Sequence, residues 1–169
     1  MPGVGKTYFG NYAAQKQGWI FKDLDSEITQ KHKLSIGQIF EKWGEAEFRK
    51  LELEALNTLI SDITETTIVA TGGGTPCYNN NMKRMKDRGF VIWVDAPFED
   101  IYQNIACDLT YRPLFETIIK DELMVKLSQM YELRKEIYSQ SSLKVSVYRG
   151  YSPDLFTNTV HLSTFANGV

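Results

Sequence analysis

The stretch Gly3-Val4-Gly5-Lys6-Thr7 carries the densest chemical signal in the chain. In the motif G-x-x-x-x-G-K-[ST], successive backbone N–H groups wrap phosphate oxygens, the lysine neutralises the outer phosphates and the last hydroxyl ligates Mg²⁺. Gly5, Lys6 and Thr7 supply the final three positions, and the opening glycine of the motif would stand one position before Met1. A solvated glycine turn ahead of a helix is the other reading of these residues. Asp23 and Asp25 follow the apolar run Trp19-Ile20-Phe21, and on an extended chain side chains two apart face the same way. Two carboxylates at the carboxyl end of a strand stand where open α/β sheets bind ligands. Alternatively, Asp23 caps a helix that starts around Ser26-Glu27-Ile28.

Three more places hold polar groups suited to an anionic or polyhydroxylated ligand. Arg49 shares a helix side with Leu53, Leu56 and Ile60, with Glu52 one turn away, so its guanidinium lies at the edge of an apolar face or pairs internally with Glu52. Gly72-Gly73-Gly74 leaves three backbone amides unshielded and admits close approach of a ligand, or forms a plain flexible turn. Arg134 falls on the apolar stripe of a helix with Met130, Tyr131, Ile137 and Tyr138, so it points inward to an anion or snorkels outward. Arg112-Pro113 stands in a stretch without firm periodicity.

The elements that must position these groups alternate between strand and helix patterns. A helix follows Thr7 and breaks at Gly18; Trp19 to Phe21 reads as a buried strand. Ser35-Ile36-Gly37-Gln38 fits a capping box for a short helix ending near Gly44, and a second helix runs from about Glu45 to Ser61. Ile68 to Thr71 is a second buried strand leading into the triple glycine, Asn79 to Arg88 is a polar helix, and Phe90 to Asp95 is the clearest buried strand. Helices over about 98–107 and 121–138, a short strand at Leu143 to Val147 and a weak terminal helix capped at Ser152 or Asp154 complete the pattern. Such alternation implies a parallel sheet covered by helices on both faces.

At 169 residues, 43% hydrophobic and 24% charged, the chain has the composition of one ordinary globular domain. The net charge of −2, with scattered basic residues, offers no footprint for nucleic acid. No apolar run approaches the roughly 20 residues that span a bilayer. Cys77 and Cys107 form no C-x-x-C pair, which favours a reducing, cytoplasmic setting. His32 and His161 form no metal-ligand pattern and are expected to be exposed.

The phosphate loop, the Asp23-x-Asp25 strand exit, Phe48-Arg49, Thr71-Gly72-Gly73-Gly74, Arg112-Pro113 and Arg134 come in one order, and together they resemble the shikimate kinase family from Met1 to about Val147. The resemblance implies a three-layer α/β/α fold of the P-loop kinase type in one domain over 1–169, with substrate-binding helices at about 26–61 and a lid at about 108–120. It implies transfer of the γ-phosphoryl of ATP to the 3-hydroxyl of shikimate by a cytoplasmic monomer, with no nucleic-acid or membrane partner. By the same resemblance, Gly3, Val4, Gly5, Lys6 and Thr7 hold the nucleotide phosphates, and Thr7 and Asp23 serve Mg²⁺. Asp25 grips the substrate hydroxyls and accepts the proton. Arg49 and Arg134 bind the substrate carboxylate beside Gly72, Gly73 and Gly74, and Arg112 swings over the phosphates from the lid.

Two departures stand out. The family commonly carries an adenine-stacking arginine a few residues before the lid Arg-Pro, where this chain reads Asn104-Ile105-Ala106-Cys107-Asp108. In the family's sheet the strand feeding the loop is central; without it, the neighbouring strands are expected to leave ladder groups unpaired and the chain to be unstable or to aggregate. Other small-molecule kinases, such as gluconate or nucleotide kinases, have no need of Arg49, the triple glycine and Arg134 together. A GTPase is disfavoured because N-K-x-D does not occur, and a degenerate, non-catalytic nucleotide-binding module is the reading from another class.

Overall fold

The structure is a computed structural model that describes residues 1–106 and 120–166. Helix α1 (Lys6–Gln17) starts from Gly5 in the left-handed region (φ 85°) and stops at Gly18, also left-handed (φ 68°), whose N–H closes on the Ala14 carbonyl. Strand β1 (Ile20–Asp23) passes at once into α2 (Leu24–His32), because the Asp23 side chain accepts from the Ser26 N–H and caps the helix. Asp25 therefore sits in the first turn of α2. The expected strand alternation of Asp23 and Asp25 is overridden by this cap, so the two carboxylates are brought near each other by a turn instead.

Helix α3 (Ile36–Asp62) begins with the expected capping box of Ser35 and Gln38 and is kinked at Gly44 (φ 76°, ψ 173°). The two helices read from the sequence thus form one element with a glycine joint. Strand β2 (Thr67–Ala70), a short 3-10 turn (Thr75–Cys77) and α4 (Asn81–Lys86) follow, then β3 (Ile92–Asp95), α5 (Phe98–Ala106), α6 (Lys120–Tyr138), β4 (Leu143–Ser146) and α7 (Pro153–Ala166).

β1 pairs with β2 in parallel, from Ile20 opposite Thr67 to Asp23 opposite Ala70. β3 pairs with β4 in parallel, from Ile92 opposite Leu143 to Asp95 opposite Ser146. Among the described residues these are two separate two-stranded sheets. The strands are less enclosed than their apolar sequences suggest: in β2 only Ala70 and in β3 only Val94 is buried. A strand with a ladder partner on one side only leaves its other flank less covered.

Two apolar clusters form the interior. The larger gathers Met1, Val4, Phe9 and Ala13 with Val94, Ile101, Ile105, Leu127, Tyr138, Val145 and Phe156. The other joins Leu24 and Ile28 of α2 to Ile39, Phe48, Leu51, Leu56 and Leu59 of α3. The histidines expected at the surface are half-buried against tryptophans, His32 edge-on to Trp43 and His161 stacked on Trp19. No helix among the described residues is long and apolar enough to cross a membrane.

Candidate active site

The phosphate-loop residues have the backbone that such a loop needs. Gly3 and Gly5 both lie at positive φ (73° and 85°), and a side chain at Gly3 would meet Ile101 and Ile105 at 3.0 Å. No side chain caps α1, and its first turn carries no acidic residue, so the N–H groups and the positive end of the helix dipole are open to an anion. Lys6 Nζ donates to the Met1 carbonyl at 2.7 Å, and Asn104 of α5 holds the Gly3 carbonyl at 2.8 Å.

Thr7 Oγ1 donates to Asp23 Oδ2 at 2.9 Å, while Asp23 Oδ1 accepts the Ser26 N–H at 3.1 Å. Asp23 is therefore both the helix cap and the neighbour of the loop threonine, so the two sequence readings of it coexist. A hydroxyl and one carboxylate oxygen beside a phosphate loop fit Mg²⁺, which takes one or two carboxylates and draws its other ligands from phosphates and water. No group of three His, Cys, Asp or Glu among the described residues could cage a metal without that help.

Asp25 is half-buried, and its Oδ1 is enclosed without a hydrogen-bond partner. Burial, followed by the charges of Asp23 and Glu52, pushes its carboxyl up to about 6, against the opposite pull of Lys6 and Arg49. An enclosed, unpartnered carboxylate with such a value is suited to grip a hydroxyl and take its proton.

Arg49 is braced on several sides. Nε and Nη2 both donate to Glu45 Oε1 (3.2 and 2.9 Å), Nη1 donates to Glu52 Oε2 (2.8 Å), and the Tyr78 ring covers the guanidinium 4.1 Å from Cζ. Burial works against the charge of Arg49, but the two carboxylates more than offset it and hold the group above its usual value. The internal Arg49–Glu52 pair thus forms, and it also fixes the arginine beside the triple glycine. Glu52, 1% exposed, uses its other oxygen to accept from Thr75 Oγ1 at 2.5 Å. Sequence spacing signals Glu52 as a partner of Arg49 but carries no sign of its bond to Thr75, which lies 23 residues away.

Each glycine of the triple faces a different neighbour. A Cβ at Gly72 would stand 3.3 Å from Asp25 Oδ1, one at Gly73 3.1 Å from the Met1 backbone, and one at Gly74 2.7 Å from both terminal nitrogens of Arg49. None of the three has positive φ, so the need is for space and not for a special backbone. Arg134 of α6 is half-buried, and its charge bears on Tyr138, Cys77 and Glu45, which places it toward the same loop. Arg112 lies outside the described residues. On the far side of the phosphate loop, a cavity of about 470 Å³ is lined by Gly3, Gly5, Tyr8, Asn104, Tyr148 and Arg149 among others. Arg149 is anchored there by Gln103 and Asp100 of α5. Sequence reading missed this cavity, because its two walls come from α5 and the segment after β4, far apart in the chain.

A phosphate loop opening a helix, an acid–hydroxyl pair beside it, and a carboxylate and arginines across a glycine hub define a P-loop kinase of small molecules. The shikimate kinase family model matches residues 2–162. A shikimate kinase from Persephonella marina is 34% identical over 94% of this chain and 91% of its own length, and one from Nostoc punctiforme is 38% identical over 95% and 84%. Among solved structures, a shikimate kinase from Acinetobacter baumannii in complex with shikimate aligns with a TM-score of 0.87 at 32% identity, over 98% of this chain and 90% of that one. Another, from Bacteroides thetaiotaomicron, gives 0.87 at 26% identity over 99% and 94%. The chain belongs to the shikimate kinase family, and is thereby a phosphotransferase with an alcohol group as acceptor.

Proposed function

We propose that this chain moves the γ-phosphoryl group of ATP to the 3-hydroxyl of shikimate, with the sites divided as follows. The amides of Gly3 to Thr7 and the ammonium of Lys6 hold the β- and γ-phosphates, and adenine enters the cavity beside Arg149 and Tyr148. Thr7 and Asp23 would hold Mg²⁺, which would supply charge neutralisation for the leaving diphosphate. Asp25 orients the 3-hydroxyl and accepts its proton as the oxygen attacks the γ-phosphorus; the bond to the β-phosphate oxygen breaks and ADP leaves. Arg49 and Arg134, with the amides of the triple glycine, clamp the carboxylate, for which forked guanidinium donors are the best match. Arg112 closes from the lid and excludes water, whose attack would waste ATP. The enzyme works as a cytoplasmic monomer.

One observation carries this reading: Asp25, Arg49 and the start of the phosphate loop each stand where a Cβ on a different glycine of Gly72-Gly73-Gly74 would meet them. Phosphoryl transfer asks mainly for alignment and positive charge; that convergence supplies the alignment, and Lys6 of the loop supplies charge. A coupled assay of ADP release tests it. Turnover should require shikimate and should be lost in Asp25→Asn and Arg134→Ala; equal ADP release with and without shikimate overturns the assignment.

A further inference from the structure

The two arginines of the acceptor site stand on different helices, and a line of polar contacts joins those helices through the triple glycine. On the α3 side, Arg49 bonds Glu52 and Glu52 bonds Thr75. On the α6 side, the Tyr138 hydroxyl donates to the Gly73 carbonyl at 2.5 Å, and Tyr138 follows Arg134 by one helical turn. The Tyr138 ring is 4% exposed and packs on Trp93 with centroids 5.6 Å apart. In a planar trans peptide the C=O and the following N–H point in opposite directions. Fixing the Gly73 carbonyl therefore fixes the direction of the Gly74 N–H, on a residue that stands beside Arg49: a Cβ at Gly74 would lie 2.7 Å from its terminal nitrogens.

We propose that Tyr138 is a positioning residue for the acceptor: its hydroxyl holds the Gly73–Gly74 peptide in the orientation that presents an amide to the shikimate carboxylate, and keeps that peptide in register with Arg134. This rests on the shikimate kinase reading above. The packing role of the ring and the orienting role of the hydroxyl are separable, because Tyr138→Phe keeps the first and removes the second. Burial pushes the hydroxyl up to about 12, so it remains a donor across the working pH range and the effect does not titrate there.

The test measures shikimate Kd by calorimetry without nucleotide, alongside both KM values and kcat, for wild type and Tyr138→Phe. Loss of the hydroxyl, which bonds the Gly73 carbonyl and also meets the Arg134 side chain, weakens shikimate binding and raises its KM by about three- to tenfold, with MgATP KM and kcat within about twofold of wild type. Unchanged shikimate affinity in Tyr138→Phe overturns the inference. So does equal weakening of shikimate and MgATP, which is the pattern of a loosened fold. A wild-type chain that binds no shikimate overturns the underlying reading and the inference with it.

Discussion

At Gly74 the space a methyl group would need is taken by the terminal nitrogens of Arg49, 2.7 Å away. Its backbone (φ −84°, ψ −27°) suits alanine, so Gly74→Ala should fold normally and displace the guanidinium from its braces. The expected result is a shikimate KM raised more than about tenfold, the scale of a lost charge-assisted contact, together with a lower Tm, because Glu52, 1% exposed, loses its guanidinium partner. Asp25 gives a prediction in pH. Its folded-state value of about 6 lies above the ordinary 3.8, so the native protein binds this proton more tightly than the unfolded chain does. Stability is therefore lost as pH rises from about 4 to about 6, by on the order of 3 kcal/mol for such a gap. Asp25→Asn should melt higher than wild type at about pH 7.5, and the difference should shrink to nothing near pH 4. In the wild type, kcat/KM for shikimate should fall as pH drops below about 6, where the base is protonated. The types and order of these residues were legible in the sequence. Their bracing was not: Tyr78 meets Arg49, and Tyr138 meets Gly73, across element boundaries, and the pattern singled out Glu52 but not Glu45 as a partner of Arg49.

Among the elements, α3 shows how local chemistry prepares a site. The Ser35–Gln38 box and the break at Gly44 are encoded within a few residues, which is why both could be read in advance. The first stretch aims Ile39 at Leu24 and Ile28, and the second delivers Phe48, Arg49 and Glu52 to the glycine hub. Gly44 sits at φ 76°, ψ 173°, a region open essentially to glycine, with nothing within 4 Å of a Cβ placed there. Gly44→Ala should thus destabilise by about 1–3 kcal/mol through the backbone alone, visible as a lower Tm. It should also raise shikimate KM, since Glu45, the next residue, carries two of the bonds to Arg49. The exit of β1 was harder to read. Alternation along a strand and a capped helix make different use of Asp23 and Asp25, and the hydrogen bond to Ser26 decided for the helix.

Over the whole molecule, the two apolar clusters divide the chain into a half that carries the phosphate loop and α6, and a half that carries α2 and α3. Among the described residues no strand ladder joins the two sheets. What reaches across includes α1, which packs on β1, β2 and α7, and the bond from Tyr138 to Gly73. That division was not legible in a sequence whose strands and helices simply alternate. With the carboxylate clamp proposed above, shikimate would bridge Arg49 of one half and Arg134 of the other and should act as a further tie. At about 100 times its Kd it should add about 2.7 kcal/mol of stability without nucleotide. The gain should vanish in Arg134→Ala, while stabilisation by MgATP persists; differential scanning calorimetry reads both. The triple glycine also limits how such an enzyme can change by mutation. Any single-base change that replaces a glycine adds at least a Cβ, and at positions 72, 73 and 74 that atom meets Asp25, the Met1 backbone and Arg49 in turn. At each of these three codons a substitution crowds a different neighbour, most closely at Gly74. New acceptor preferences are then expected first in residues that brace the hub, such as Tyr78, and a saturation library selected for growth on the shikimate route should show more variation there than at the glycines.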